Sequence, residues 1–167
     1  MMIILGIDPG LAIVGWGCVE YSGSHFKVLG YGAIETPAGI SLEERLLMIH
    51  KGITQLIEKY KPDHMAVEEL FFNTNITTGI RVAEARGVIL MTAHSMGVKL
   101  FEYTPLQVKQ AVVGYGRAEK KQVITMVTMF LGLASPPKPD DTADALAIAI
   151  CHAHSGASRI SKYYNLK

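Results

Sequence analysis

Short apolar runs at the start of the chain predict strands. Ile3 to Asp8 is a continuous apolar run that ends before Pro9-Gly10, which predicts a buried strand followed by a turn. The segments Ile13 to Tyr21 and Phe26 to Glu35 are rich in Val, Ile, aromatic and Gly residues, and Ser22-Gly23-Ser24-His25 separates them as a hairpin turn would. Three consecutive antiparallel strands are therefore predicted, and the first should be central in a sheet.

Helical spacing and two further strands follow. Ser41-Leu42-Glu43-Glu44 is a capping box, and the apolar residues after it recur at helical spacing as far as Pro62. Strands are predicted at His64 to Glu69 and Val98 to Tyr103, with a loop at Phe71 to Asn75 between them. The remaining helices are predicted from about Thr78 to Met96, from Pro105 to the break at Gly114, from Ala118 to Leu131 and from about Asp141 to His154. This order indicates an α/β fold with a mixed five-stranded sheet flanked by helices.

The composition supports one compact domain. The chain has 167 residues, of which 49% are hydrophobic and 19% charged, and this composition excludes a disordered or fibrous chain. The formal net charge of +1 gives no overall attraction to polyanions. A nucleic-acid partner would therefore have to be bound by a local basic patch.

The cysteines and the apolar N-terminus bear on the compartment. Cys18 and Cys151 are too few for a disulfide framework and lack C-x-x-C spacing, so we expect buried thiols in a reducing compartment. The N-terminal apolar run has no basic region before it and ends at Asp8. No run approaches the roughly 18 residues of a membrane span. We therefore expect a cytoplasmic protein that does not associate with membranes.

Four acidic residues occupy positions that suggest chemistry. Asp8 and Glu68 end predicted strands, and Asp141 and Asp144 are three residues apart on the last predicted helix, so they share a face. If the first and fourth strands are adjacent, Asp8 and Glu68 emerge at the same sheet edge and the helix can bring its acids over them. Carboxylates at close range repel one another unless cations are present. Hard oxygen ligands without a Cys or His cluster select magnesium or manganese, so the pattern predicts metal-dependent phosphodiester hydrolysis.

Each acid also has an ordinary structural explanation. Asp8 before Pro-Gly suits a turn, Glu68 suits a salt bridge, and Asp141 suits a helix cap. Glu69 competes with Glu68, because strand alternation puts one of the two on the wrong face. Asp140 competes with Asp141, and we assign Asp140 to the cap and Asp141 to the metal. The joint arrangement favours the catalytic interpretation.

Basic residues gather between Asn73 and Lys121, where seven Lys and Arg face three Glu. Such a stretch suits phosphate contacts, although a solvated helix face is the alternative. Lys120 and Lys121 begin a predicted helix, where cations oppose the helix dipole and favour the binding of a phosphate. Neutralising the four acids with cations would raise the formal charge of the remainder from +1 to +5.

Aromatic residues, histidines and absent motifs also bear on the function. In the predicted loop, Phe71 could stack on unpaired bases, while Phe72 could equally fill the core. The six histidines are scattered, and we assign no metal to them. The chain has no P-loop, no G-x-G-x-x-G after the first strand and no G-x-S-x-G, which disfavours P-loop ATP hydrolysis, Rossmann-type dinucleotide binding and serine-hydrolase chemistry.

An ordered set of motifs over residues 1 to about 155 resembles the RuvC family of bacterial Holliday-junction resolvases. The motifs are Gly6-Ile7-Asp8-Pro9-Gly10, Ala66-Val67-Glu68-Glu69, Ala85-Arg86-Gly87, Gln107-Val108-Lys109-Gln110 with Val112-Val113-Gly114, Ala118-Glu119-Lys120 and Asp141-Thr142-Ala143-Asp144-Ala145-Leu146-Ala147. The resemblance implies a ribonuclease-H-like nuclease domain at 1–155, followed by a basic tail at 156–167 that we expect to be mobile. It also implies a homodimer that makes paired, symmetric nicks in a four-way DNA junction, in recombination and repair, together with the RuvA–RuvB branch-migration complex.

The resemblance also implies roles for individual residues. Asp8, Glu68, Asp141 and Asp144 match the catalytic acids of the family, which bind magnesium, with two ions expected per site and manganese as a substitute. Phe71 matches an aromatic residue near the crossover, and Lys109 and Lys120 match DNA-contacting lysines. Glu69 and Asp140 have no required role in the pattern. Arg86 and Lys121 are expected as further DNA contacts.

Other readings remain open from the sequence. An actin-like or sugar-kinase-like ATPase also begins with a Gly-Ile-Asp-x-Gly turn, but that architecture uses two such domains. A non-catalytic junction-binding module is disfavoured because buried like charges without metals would destabilise the fold. Short ribonuclease-H-like proteins of ribosomal-RNA processing share the first motif, but Gln107 to Lys121 fits them poorly. The second helix, with Ala83, Ala85, Gly87 and Ala93, is a candidate dimer interface, and ordinary packing within the chain is the alternative.

Overall fold

The computed structural model describes residues 1–70 and 76–156. Its elements, in chain order, are β1 Met2–Asp8, β2 Ile13–Ser22, β3 His25–Glu35, α1 Leu42–Tyr60, β4 His64–Glu68, α2 Ile76–Ser95, β5 Lys99–Tyr103, α3 Pro105–Val113, α4 Lys120–Phe130 and α5 Asp140–Gly156. The predicted loop at 71–75 and the tail from residue 157 onward lie outside the described residues.

The five strands form one sheet in the order β3-β2-β1-β4-β5. The β1–β2 and β2–β3 pairs are antiparallel, and the β1–β4 and β4–β5 pairs are parallel. The hairpin connections produce the antiparallel half, whereas α1 and α2 carry the chain across to each new parallel strand. The predicted mixed five-stranded α/β fold is confirmed, with β1 at the centre of the sheet.

Side-chain alternation along β1 divides the core into two layers. Leu5 and Ile7 pack in the cluster that includes the buried residues of α1 and α2. Ile4 packs on the other face with α5, α3 and α4. Since Gly6 also lies against α5, the next residue of that alternation, Asp8, is directed to the α5 side at the end of the strand.

Glycines allow α5 to approach the sheet closely. A Cβ at Gly6 would overlap the carbonyl of Ala145, and a Cβ at Gly15 would overlap the carbonyl of Asp141. Gly15 is the ladder partner of Asp8 on β2. The missing side chain at Gly15 therefore lets the first turn of α5 settle beside the end of β1.

Three helix starts differ from their predictions, and α2 begins at Ile76 rather than about Thr78. Helix α4 begins at Lys120 rather than Ala118, because Glu119 is the N-cap, with its N–H donating to Oε1 of Gln122 at 2.8 Å, and Ala118 is buried in the core. The prediction that Asp140 caps the last helix is wrong. Asp140 is already in the first turn of α5, and the N–H of Thr142 donates to the carbonyl of Pro139 at 3.0 Å.

The small residues of α2 face different ways. Ala85 and Ala93 are fully buried with Ile49 and Ile53 of α1, so for these two residues the alternative of packing within the chain holds. At Gly87 an added Cβ would meet open space. The face that carries Gly87 is therefore exposed and available for an interface.

The structure also describes the two cysteines and the apolar character of the helices. Cys18 and Cys151 are buried and free, as predicted. Within residues 1–70 and 76–156, no helix is both long enough and apolar enough to cross a membrane.

Candidate active site

Asp8 and Glu68 lie at the same edge of the sheet. The parallel ladder of β1 and β4 pairs Ile7 with Val67, and the two acids are the next residue on each strand. Ala66 packs on the α5 side, so alternation directs Glu68 to that side as well. Glu69 instead continues the main chain, where its N–H donates to the carbonyl of Tyr103 at 2.8 Å. The geometry therefore favours Glu68 over Glu69 as the partner of Asp8.

The surroundings of Asp8 contain the other three predicted acids. Burial, together with the charges of Asp144, Glu68 and Asp141, raises the pKa of Asp8 to about 8, against a lowering by Lys120. Asp140 is not among the charges that act on Asp8. The structure thus brings together the four acids of the predicted set, with Asp141 rather than Asp140 acting on Asp8.

The pKa values of Glu68 and Asp144 are also raised. Burial and the charge of Asp144 raise the pKa of Glu68 to about 7, while Lys109 and Lys120 lower it. Burial also raises the pKa of Asp144, and the hydrogen bond and charge of Lys120 oppose that rise. These carboxyls hold protons more tightly than ordinary carboxyls because water is excluded and negative charges are close.

The ammonium of Lys120 forms ion pairs with two acids of α5. Its Nζ is 3.0 Å from Oδ2 of Asp144 and 3.7 Å from Oδ2 of Asp140. Burial alone would lower the pKa of Lys120, but Asp144 and the neighbouring acids raise it above its usual value. The predicted DNA-contacting lysine therefore also serves as a counter-charge in the site, a contact between two helices that sequence spacing does not reveal.

The donor set is chemically suited to a hard divalent cation. All four side chains offer carboxylate oxygen, the ligand type that Mg²⁺ and Mn²⁺ prefer. Burial first, and then nearby negative charge, raises the pKa of Asp8 and of Glu68, and a bound cation would favour the ionised form of both. Across the described residues, no three Asp, Glu, His or Cys side chains already converge as a ligand set for one ion.

Arg86 occupies a different position from the one expected of a DNA contact. Its Nη2 lies 2.6 Å from Oε1 of Glu102 on β5, and its Nε donates to the carbonyl of Glu68 at 3.3 Å. Sequence reasoning missed Glu102, because no local pattern links a β5 acid to an α2 arginine. Of the other predicted DNA contacts, Lys109 is close enough to Glu68 to lower its pKa, Lys121 is exposed, and Phe71 lies outside the described residues.

Comparison with known proteins identifies the family. The family profile described as "Crossover junction endodeoxyribonuclease RuvC" matches residues 4–152. A protein of that description from Alkaliphilus oremlandii is 58% identical over 155 residues, which cover 93% of this chain and 94% of the relative. The chain belongs to the RuvC family. Membership makes it a crossover junction endodeoxyribonuclease, a nuclease of the hydrolase class.

Solved RuvC structures support the same fold. The Thermus thermophilus RuvC structure has a TM-score of 0.86 at 37% identity, covering 93% of this chain and 96% of that one. The structure described as T. thermophilus RuvC in complex with Holliday junction substrate has a TM-score of 0.89 at 36% identity, covering 93% and 95%. The ribonuclease-H-like fold expected from the RuvC resemblance is therefore confirmed. RuvC nucleases depend on divalent metal, which agrees with the all-oxygen donor set of this RuvC chain.

Proposed function

We propose that this protein resolves four-way DNA junctions by paired, symmetric hydrolysis of two phosphodiester bonds, in recombination and repair. The observation that carries the proposal is the gathering of four acids around the end of β1, where Asp144, Glu68 and Asp141 are close enough to raise the pKa of Asp8. A RuvC relative with 36% identity over 93% of this chain is described in complex with Holliday junction substrate, which supports the same substrate here.

The four acids are proposed to hold Mg²⁺, two ions per site, with Mn²⁺ as a substitute. Cations held there would supply activation of water and charge compensation on the phosphodiester. Asp8, which is nearly buried among the others, sets the position of the site on the rigid central strand. Glu68 completes the sheet edge, and α5 supplies Asp141 and Asp144 from one face.

The lysines are proposed to receive the DNA. Lys120 and Lys109 both act electrostatically on Glu68, so each lies within range of the site. When cations neutralise the acids, the ammonium of Lys120 is free to turn from Asp144 to a phosphate. Lys121, exposed one residue further along α4, is proposed as a backbone contact outside the site, and Phe71 as a stacking residue at the crossover.

A homodimer is proposed because the substrate is two-fold symmetric. Two copies related by a two-fold axis place identical sites on two strands of like polarity. The outer face of α2 exposes Ile80 and Met91, 50% and 55% accessible, on either side of Gly87. This stripe is proposed as the contact between copies. Sedimentation of Met91→Glu should show a shift toward monomer, while a dimer of unchanged stability would contradict the placement.

The setting of the reaction follows the family. Residues 1–155 are proposed as the nuclease domain and 156–167 as a basic tail. A cytoplasmic location and work beside the RuvA–RuvB complex are likewise proposed, since both belong to junction processing in bacteria.

Cleavage of a synthetic four-way junction tests the proposal. An immobile and a partly mobile junction are incubated with the protein in Mg²⁺, with linear duplex as substrate control. Asp8→Asn is assayed in parallel, with Glu58→Gln on the exposed side of α1 as the matched control. We expect symmetric nicks on junctions alone, lost in Asp8→Asn and retained in Glu58→Gln.

Binding measured in Ca²⁺ or EDTA separates recognition from chemistry. Junction binding that persists in Asp8→Asn places Asp8 in the chemistry. Tight binding by the wild type without cleavage in Mg²⁺, Mn²⁺ and varied core sequences would instead establish a non-catalytic junction-binding module. A wild-type protein that neither binds nor cleaves the junction would overturn the proposal.

A further inference from the structure

We propose that Arg86 is a positioning residue that fixes the strand end bearing Glu68, and that it acts through Glu102 and the Glu68 main chain rather than by contacting DNA. The inference rests on the proposed role of Glu68 as a metal ligand and extends it to residues outside the acid set.

Arg86 joins three elements at one point. From α2, its guanidinium reaches Oε1 of Glu102 on β5 at 2.6 Å and the carbonyl of Glu68 on β4 at 3.3 Å. A guanidinium presents a rigid, planar fork of donors, so binding two acceptors fixes their relative positions. The end of β4 is thereby tied to both its neighbouring strand and the helix above it.

The tie falls at the last ladder pairs of β4. The parallel ladder with β1 ends at the pair Ile7 and Val67, one residue before Glu68. On the other side, Glu68 is the last residue paired with β5, opposite Tyr103. The Glu68 carbonyl held by Arg86 therefore belongs to the residue that passes out of the ladder and carries its carboxyl into the site.

Arg86 does not act as a counter-charge for the Glu68 carboxyl. The charges that act on that carboxyl are those of Asp144, Lys109 and Lys120. Leu100 packs with the α1 and α2 layer, and alternation puts Glu102 on that same face, opposite the side to which Glu68 is directed. The effect of Arg86 on the site is therefore one of position.

The environment of Arg86 also argues against a phosphate contact. Its side chain is only 18% exposed, and a carboxylate already occupies the guanidinium. Glu102 is more exposed, at 43%, and would repel an approaching phosphate. If Arg86 contacts DNA, replacing Arg86 should weaken junction binding and replacing Glu102 should strengthen it. If the two residues are a positioning pair, replacing either one should have the same effect.

The test compares Arg86→Gln and Glu102→Gln in the whole 167-residue chain. Three quantities are measured: the single-turnover cleavage rate at saturating junction, the junction Kd in Ca²⁺, and Mn²⁺ affinity without DNA by calorimetry. We expect Arg86→Gln to lower the rate and the Mn²⁺ affinity by about tenfold or more, as loss of a residue that orients a metal ligand does, with Kd changed less than twofold. Glu102→Gln should also lower the cleavage rate and the Mn²⁺ affinity.

Controls separate positioning from general structure. Lys51→Gln and Glu58→Gln change exposed charges on α1 and should leave rate and Mn²⁺ affinity unchanged. Arg86→Lys, which keeps the charge without the fork, should recover part of the rate. The double variant Arg86→Gln with Glu102→Gln should lose no more than the worse single variant, since both act through one unit.

Several results would overturn the inference. A weaker Kd for Arg86→Gln together with a tighter Kd for Glu102→Gln, at unchanged rate, would make Arg86 a DNA contact. Unchanged rate and Mn²⁺ affinity in both folded variants would leave a merely structural pair. If Arg86→Gln does not fold, Glu102→Gln and Arg86→Lys decide the question. A wild type that binds Mn²⁺ but never cleaves would count against the proposed function, while the Mn²⁺ affinities would still decide the role of Arg86.

Discussion

The ammonium of Lys120, the first residue of α4, lies 3.0 Å from Oδ2 of Asp144 on α5. This ion pair brings a cation from one helix onto an acid of another, at the point where Asp8 and Glu68 end their strands. It offsets part of the repulsion among the acids, and it makes Lys120 a competitor for the carboxylate that a divalent cation would use.

Lys120→Gln is predicted to separate metal binding from DNA binding. Removing the ammonium leaves Asp144 without its competitor, so Mn²⁺ affinity measured by calorimetry without DNA should rise. Junction binding should weaken, and the slope of log K against log salt should become shallower by about 1. Lys121→Gln is the matched control, expected to weaken junction binding without changing Mn²⁺ affinity. A fall in Mn²⁺ affinity for Lys120→Gln would contradict the competition.

Asp8→Asn is predicted to stabilise the metal-free protein increasingly as pH rises. Folded Asp8 keeps its proton up to a pKa of about 8, whereas the unfolded residue loses it near 3.8. Wild-type stability therefore falls as pH rises through this window, and the neutral amide escapes the loss. In EDTA at pH 8, the variant should exceed the wild type in free energy of unfolding by about 2 kcal/mol or more.

Urea denaturation at pH 5 and pH 8 checks this sign. Glu58→Gln, an exposed acid-to-amide change on α1 that keeps Asp8, should follow the wild type at both pH values. An advantage of Asp8→Asn that is equal at both pH values would mean that Asp8 is not a buried, strained acid in the folded protein.

Gly15→Ala is predicted to disrupt the site by displacing α5. The new Cβ would overlap the backbone carbonyl of Asp141, which cannot rotate away. We expect a loss of about 1–3 kcal/mol in free energy of unfolding, typical of overpacking, and a cleavage rate that falls further than stability alone explains. Gly52→Ala is the control, because its Cβ would crowd side-chain atoms of Ile34 rather than a backbone carbonyl of α5. Normal cleavage by Gly15→Ala would show that the position of α5 is not critical.

His152 is predicted to make the protein less stable in acid. Its ring is 2% exposed and shares hydrogen bonds with the Tyr103 hydroxyl at 2.7 Å and the His64 ring at 2.8 Å. Burial, together with the charge of His64, lowers the pKa of His152 to about 4. Between pH 6.5 and 4 the unfolded chain binds a proton that folded His152 refuses, so stability is lost as pH falls, by about 3 kcal/mol in all.

Denaturation curves of His152→Gln and wild type between pH 7 and 4.5 measure this contribution. The variant should lose less stability over that interval. His25→Gln, at the exposed start of β3, should follow the wild type. Parallel curves for wild type and His152→Gln would exclude His152 as the titrating group.

Local patterns in the sequence determined the elements and the chemistry of the site. The capping box of Ser41 and Glu44 forms as predicted, because both partners lie within one turn. The ends of β1 and β4 were marked by an acid after an apolar run, and two acids three residues apart had to share a face of α5. Fold class and family followed from these short-range regularities together with the order of the motifs.

Tertiary structure decided which of several possible partners each residue took. Periodicity is local, so it could not show that Arg86 on α2 binds Glu102 on β5, or that Lys120 turns to Asp144. It likewise misjudged the start of α4 and the cap of α5, where neighbouring residues compete for one role and packing selects between them. The close approach of α5 to the sheet could not be predicted either. It depends on Gly15 lying against Asp141, which is more than a hundred residues further along the chain. The sequence alone determines which groups are available, while the close packing of distant segments determines which of them meet.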